Sequence, residues 1–251
     1  MLKLKKAKLK PTSIIRLLPN LITLSALVVG MNSIRFALDG KWDYAASCII
    51  ISAFLDALDG RVARMIGATS VFGAELDSLT DFANFGVAPA LISYLWAYQR
   101  FEFKLFSWAA ILLLVICMAI RLARFNVGAS SKEDQKVGKN FFVGIPAPMG
   151  AMLFIIPIII DFEISANFRF DVRSHIFFVT CYQIVIALLV ASRIPTFSLK
   201  NIEVKPEYIW VCLLAFAAFI IAMLAYPWYL LPILACLYLV SIALSVKAKL
   251  K

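Results

Sequence analysis

The chain has 251 residues, of which 63% are hydrophobic and 16% charged, with a mean hydropathy of +0.89. Soluble domains run about 45–50% apolar and about 25% charged, so a soluble globular enzyme, a disordered chain and a secreted disulfide scaffold are excluded. The 25 Lys and Arg outnumber the 15 Asp and Glu by ten, and the places where these charges fall decide what the apolar remainder does.

The chain opens on a basic tail. Lys3, Lys5, Lys6, Lys8, Lys10 and Arg16 occur with no acidic residue, and a short amphipathic segment over 11–18 follows. A basic start resembles a secretory leader. Pro19-Asn20 and Arg35 interrupt the apolar stretch behind it, and no small-residue cleavage site stands out, so the first span is read as uncleaved. A transmembrane helix takes about 20 mostly apolar residues. Eight such stretches follow, over roughly 20–38, 43–66, 73–97, 105–127, 142–160, 175–192, 208–226 and 228–246. The runs are long and lack two-residue alternation, which predicts helices rather than a barrel. The expected fold is all-α: one polytopic helical membrane domain over 1–251, with no separate soluble domain. Within it, 1–18 is the basic and amphipathic start, 20–192 a six-helix core, and 208–246 two additional helices.

An even number of spans places both termini on one side. That side collects the tail, Lys132, Lys136, Lys139, Arg193, Lys200, Lys205, Lys247, Lys249 and Lys251, fifteen basic residues in all. The other side has five: Lys41, Arg100, Lys104, Arg169 and Arg173. The positive-inside rule then predicts a multi-pass protein of the cytoplasmic membrane, with both termini and the loop 67–72 facing the cytoplasm. The surplus of +10 reads as a topology signal that also draws anionic lipid headgroups, and nucleic acid is not expected. The five cysteines all fall in apolar runs without a C-x-x-C spacing, as small buried hydrophobes do. The one histidine, His175, opens the sixth span on the outer side, which argues against histidine catalysis or a zinc site. Asp161, Glu163 and Asp171 are expected as solvated charges of an outer loop.

The second and third spans break the pattern. Asp56, Asp59, Arg61 and Arg64 lie in one, Asp77 and Asp81 in the other, and Glu75 near its start. An Asp at the centre of a span costs about 2.5–3.5 kcal/mol, so four facing lipid would cost on the order of 10–14 kcal/mol. That rivals the whole stability of a domain, so these residues must face a polar cavity. Asp56 and Asp59 are spaced i, i+3 and Asp77 and Asp81 i, i+4, so each pair shares a helix face. A short turn joins the spans into an antiparallel hairpin in which Asp59 and Asp77 fall at similar depth, so the four carboxylates converge.

Convergent carboxylates cannot all ionise without counter-charge. One or two divalent cations answer this need, and an all-oxygen ligand set suits Mg²⁺ or Mn²⁺. Two metals flanking a phosphate would neutralise it and polarise the phosphoryl group. Gly60 and Ala63 leave room for the close approach of a ligand or a neighbouring helix, Gly73 eases packing of the third span on the second, and Arg64 offers a fork to phosphate oxygens. On the residues alone, a charge-paired structural hairpin and a cation channel or transporter stay open beside a phosphoryl-transfer enzyme.

The string Asp56-x2-Asp59-Gly60-x2-Ala63-Arg64-x8-Gly73-x3-Asp77-x3-Asp81 is identified as the complete signature of the CDP-alcohol phosphotransferase family. The resemblance implies a membrane-embedded enzyme in which an alcohol hydroxyl attacks the lipid-side phosphate of a CDP-linked lipid and CMP leaves. By position, Asp56, Asp59, Asp77 and Asp81 are implied as ligands of a dinuclear Mg²⁺ or Mn²⁺ site, with Asp81 as the general base. Gly60, Ala63 and Arg64 are implied to receive the nucleotide and its phosphates, joined by Asn20 and Thr23 of the first span. Arg121-Leu-Ala-Arg124-Phe-Asn126 and Phe142-Val-Gly144-Ile-Pro146-Ala-Pro148 resemble the strings of the serine-accepting bacterial branch. That likeness implies CDP-diacylglycerol and L-serine as substrates, with glycerol 3-phosphate, inositol or choline as alternative acceptors. Arg121, Arg124 and Asn126 are then candidates for the acceptor or the lipid phosphate, against a plain role as residues snorkelling to the interface. Asn84 continues the Asp77–Asp81 face and is a candidate support for it. Family members often pair as homodimers, and the resemblance implies one here.

Overall fold

A computed structural model describes residues 14–97, 104–130, 141–168, 171–197 and 206–249. The lysines of the tail, Arg100, Lys132, Lys136, Lys139, Arg169, Lys200, Lys205 and Lys251 lie outside the described residues. Nine helices make up nearly all of what is described. They are α1 (Leu18–Leu38), α2 (Trp42–Met65), α3 (Val71–Asp81), α4 (Ala88–Trp96), α5 (Lys104–Ser130), α6 (Ala147–Phe168), α7 (Ile176–Ala191), α8 (Ile209–Ala225) and α9 (Pro227–Lys249). A π-helical turn, Phe82–Val87, joins α3 to α4 without a break, so the two form the third expected span. Two three-residue strands, β1 (Phe141–Val143) and β2 (Pro195–Phe197), pair antiparallel with Phe142 opposite Thr196.

Among the described residues, four stretches are long and apolar enough to cross a membrane on length and composition: Ile14–Leu38, Leu105–Val127, Val172–Ala191 and Pro227–Ser245. The shorter Ile209–Ala225 is also apolar, and α8 contains no buried residue at all. Large apolar side chains stand exposed on α1, α5, α7, α8 and α9, a surface that suits lipid and not water. The chain is a polytopic helical membrane protein.

With no water to expel between helices, packing in lipid depends on close approach of small residues. Ala26, Gly30, Ser33 and Ala37 are buried on α1, and Ala45, Ala46, Ser52 and Ala53 on α2. Gly40, at φ 73°, makes the tight turn between them. The third span is keyed into this pair. Asn84 donates from Nδ2 to the Ala26 carbonyl at 2.9 Å, and its amide lies where a Cβ on Gly30 would be. Pro89 lacks the N–H that Phe85 would otherwise receive, and its ring crowds that carbonyl, so the helix widens into the π turn just after Asp81.

The expectation for Asp161 is corrected. It lies inside α6 and is 5% exposed. Its carboxylate accepts from Trp96 Nε1 at 2.8 Å and from Arg173 Nε at 3.0 Å. The Arg173 guanidinium also rests over the rings of Trp42 and Trp96. A charge expected in water instead fastens α4 and α6 to the segment ahead of α7, because Trp96 and Arg173 come from distant parts of the chain, and Arg173 in turn covers Trp42 of α2.

Candidate active site

The loop 66–70 returns the chain tightly from α2 to α3. Gly67 takes φ 62°, and the Ala68 N–H bonds back to the Ala63 carbonyl at 2.9 Å. Ser70 then caps α3 by accepting from the Gly73 N–H at 3.0 Å. So short a return runs the two helices antiparallel and brings their acidic faces together. One carboxylate oxygen from each of Asp56, Asp59 and Asp77 lies within 4.8 Å of the others. The Asp56 carboxyl is also within hydrogen-bond reach of both Asp77 and Asp81. Asp59 is 4% exposed and takes the Thr23 hydroxyl, which also lies 3.0 Å from the Pro19 carbonyl. One oxygen of Asp81, Oδ1, is buried without a hydrogen-bond partner.

These observations fit a hard divalent cation. Several carboxylate oxygens share a space one ion wide, and a buried acceptor is left unsatisfied. All the ligand atoms are oxygens, and no histidine or cysteine stands among them, as Mg²⁺ or Mn²⁺ would require.

Beside the carboxylates is a cavity of about 160 Å³. Asn20 and Thr23 of α1, Gly60, Ala63 and Arg64 of α2, and Gly73 of α3 all line it, together with Asp59 and Asp77. A Cβ on Gly60 would enter this space and meet only the Arg64 guanidinium, 3.7 Å away. At Gly73 a Cβ would lie 3.1 Å from both Asn20 Oδ1 and Ser70 Oγ, so a side chain there would press on both of these cavity-lining groups. Thr69 and Ser70 line the cavity as well, and sequence reasoning passed over them. The signal was the Thr-Ser pair just ahead of an apolar helix, where a capping hydroxyl and free N–H groups gather. Arg61 and Glu75 take no part in the lining.

The remaining candidates separate. Arg121 on α5 donates from Nε to the Ile145 carbonyl at 2.6 Å, and its charge acts on Asp81 and Asp56. Arg124 turns away and binds the Ala191 carbonyl at the end of α7. There it caps a helix C-terminus, a place that favours a cation. Asn126 accepts from Ser78 Oγ at 3.0 Å and so ties α5 to α3. Asn84 is occupied with α1, as described, and reaches none of the carboxylates in its hydrogen bonding.

Comparison with known proteins gives a consistent picture. The family described as CDP-alcohol phosphatidyltransferase matches residues 16–192. A CDP-diacylglycerol–serine O-phosphatidyltransferase of Mycobacterium leprae is 34% identical over 232 residues, covering 92% of this chain and 75% of the relative. The protein of that name in Mycobacterium tuberculosis is 32% identical over 94% of this chain and 80% of its own. The Helicobacter pylori protein of that name is 41% identical over 151 residues, 60% of this chain and 61% of the relative.

Proposed function

The chain belongs to the CDP-alcohol phosphatidyltransferase family, and we propose that it transfers the phosphatidyl group of CDP-diacylglycerol to the hydroxyl of L-serine. The convergence of Asp56, Asp59, Asp77 and Asp81 beside a cavity walled by Gly60, Ala63 and Arg64 carries this reading. The names of the relatives supply the choice of serine.

The residues divide the work by chemistry. Asn20, Thr23, Gly60, Ala63 and Arg64 receive the CDP moiety, the glycine and alanine by leaving space and Arg64 by a charge-assisted fork to phosphate oxygens. Thr23 holds the Asp59 carboxylate in place through its hydroxyl. Asp56, Asp59, Asp77 and Asp81 are the residues that would hold divalent cations, Mg²⁺ or Mn²⁺, two in number. Bound there, such cations would neutralise the pyrophosphate and polarise the phosphorus. Serine is a poor nucleophile at neutral pH and needs a base within hydrogen-bond reach. Asp81 takes the hydroxyl proton as serine Oγ bonds to the lipid-side phosphorus. The bond from that phosphorus to the oxygen bridging the two phosphates breaks, and CMP leaves with the electron pair. The site lies toward the cytoplasmic ends of the helices, so the nucleotide comes from water while the acyl chains stay in lipid.

The test is an assay of the purified protein with CDP-diacylglycerol and a panel of alcohols, scoring both CMP and the lipid product. We expect CMP release with L-serine, in proportion to phosphatidylserine formed, dependent on Mg²⁺ or Mn²⁺ and abolished by chelator. Turnover with glycerol 3-phosphate, inositol or choline in place of serine would move the acceptor assignment. Cation flux into liposomes without CMP release would overturn the reading as an enzyme.

A further inference from the structure

α9 lies beyond the segment that matches the family, and its sequence reads as an extra apolar helix. Its packing says more. It lies against α6, and the two enclose, with α2, a second cavity of about 130 Å³. Every lining side chain is apolar. Along α6 the lining runs from Met149 through Met152 to Ile159, a stripe about 15 Å long. Ile50 meets it from α2, and Leu234 and Ala235 close it from α9. Pro157 leaves the Leu153 carbonyl of α6 without its helical donor, and the Tyr182 hydroxyl of α7 donates to it at 2.8 Å. That break therefore leaves no orphan acceptor in the α6 wall. The space is long, apolar and adaptable, because methionine side chains adjust to what they touch.

An apolar cavity on the order of 150 Å³ excludes water and takes a hydrocarbon guest. Without a guest its walls lack contacts on one side, and within a membrane the guest at hand is an acyl chain. Position decides which lipid supplies it. Ile50 lies about 9 Å along α2 from Asp56, away from the 66–70 turn and so deeper in the membrane than the carboxylates. A lipid whose phosphate is held at the carboxylates hangs its chains to that depth. The fixed headgroup also raises the effective concentration of its own chain at the cavity above that of bulk lipid. We propose that this cavity holds one acyl chain of CDP-diacylglycerol, so that α9 sets the acyl-chain preference of the transfer. This rests on CDP-diacylglycerol as the donor, and not on the choice of serine.

The test uses the full-length purified protein in mixed micelles, with CDP-diacylglycerol that carries a diazirine midway along an acyl chain. On irradiation the label falls on peptides from 149–159 and 231–235. Excess unlabelled CDP-diacylglycerol suppresses it, and the same excess of phosphatidylcholine does not. Label confined to other helices would overturn the proposal. So would equal suppression by phosphatidylcholine, which would make the occupant bulk lipid. Ala235→Leu is the second arm, because it fills the space from the α9 side. The donors compared are CDP-dioleoylglycerol and CDP-dihexanoylglycerol, whose chains are too short to fill the cavity. In the variant the kcat/KM ratio of the long donor to the short one falls about tenfold, the usual scale of overpacking, while the KM for the acceptor stays unchanged. An equal loss with both donors, or a loss with neither, would overturn the proposal. The labelling is read on the parent, so it decides the matter even where the variant fails to fold. A parent that releases no CMP from either donor would defeat the reading as an enzyme, an outcome separate from an active parent labelled elsewhere.

Discussion

Asp81 differs from the other three carboxylates in its surroundings. Asp59 is held by Thr23, and Asp56 and Asp77 stand close to each other, whereas Asp81 keeps one buried oxygen free of any bond. A free, enclosed acceptor is what a proton-abstracting group needs to offer the incoming hydroxyl. Asp81→Asn should therefore lower turnover by about 10²- to 10⁴-fold, while CDP-diacylglycerol still binds, because the nucleotide contacts belong to α1 and α2. Turnover and equilibrium binding of the CDP-lipid are the measurements, and near-parental turnover would remove Asp81 from the role. The four Asp were legible in the sequence because lipid penalises charge so heavily that their presence demands a polar cavity. Asp161 was not. Asp161 has the sequence neighbours of a loop charge, and only the fold closes Trp96 and Arg173 on it. Arg124 resembled a ligand by spacing from Arg121, and only the fold turns it to the end of α7.

Among the elements, seven of the eight expected stretches coincide with helices to within a few residues, since hydropathy and turn residues mark their ends, whereas the fifth, expected over 142–160, is a helix over Ala147–Phe168 that runs past Asp161 and leaves Phe141–Val143 as strand. The π turn was invisible as a run of apolar letters, although Pro89 was its physical cause. Its consequence is the placement of Asn84 over Gly30, which fixes α3 against α1 and with it the depth of Asp77 and Asp81. Gly30→Ala puts a methyl where the Asn84 amide stands and must break the bond to Ala26. The expected loss is about 1–3 kcal/mol of stability, the usual cost of overpacking. Asn84→Ala removes the obstacle, so the double variant should be less destabilised than the two single losses combined. Thermal unfolding in detergent measures this, and simple additivity would show that the two residues are not in contact in the folded protein.

At the scale of the whole molecule, charge and chemistry have to agree on a direction. The positive-inside assignment and the nucleotide substrate make independent demands: the first places the basic loops in the cytoplasm, the second places the 66–70 turn where CDP-lipid headgroups are reached from water. Both hold only if Thr69, at the cavity lip, and Ser174, ahead of α7, lie on opposite faces of the membrane. Thr69 and Ser174 are both exposed, so a cysteine at either is open to reagent. The five native cysteines are first replaced, because Cys212 and Cys236 are exposed too. In intact cells, Ser174→Cys should react with a membrane-impermeant maleimide. Thr69→Cys should stay unlabelled until the membrane is opened. The reverse pattern would place the cavity outside, away from the nucleotide pool, and would break the link between the basic surplus and orientation. Labelling of both positions in intact cells would instead place the two ends of the bundle on one face, which the expected order of spans forbids.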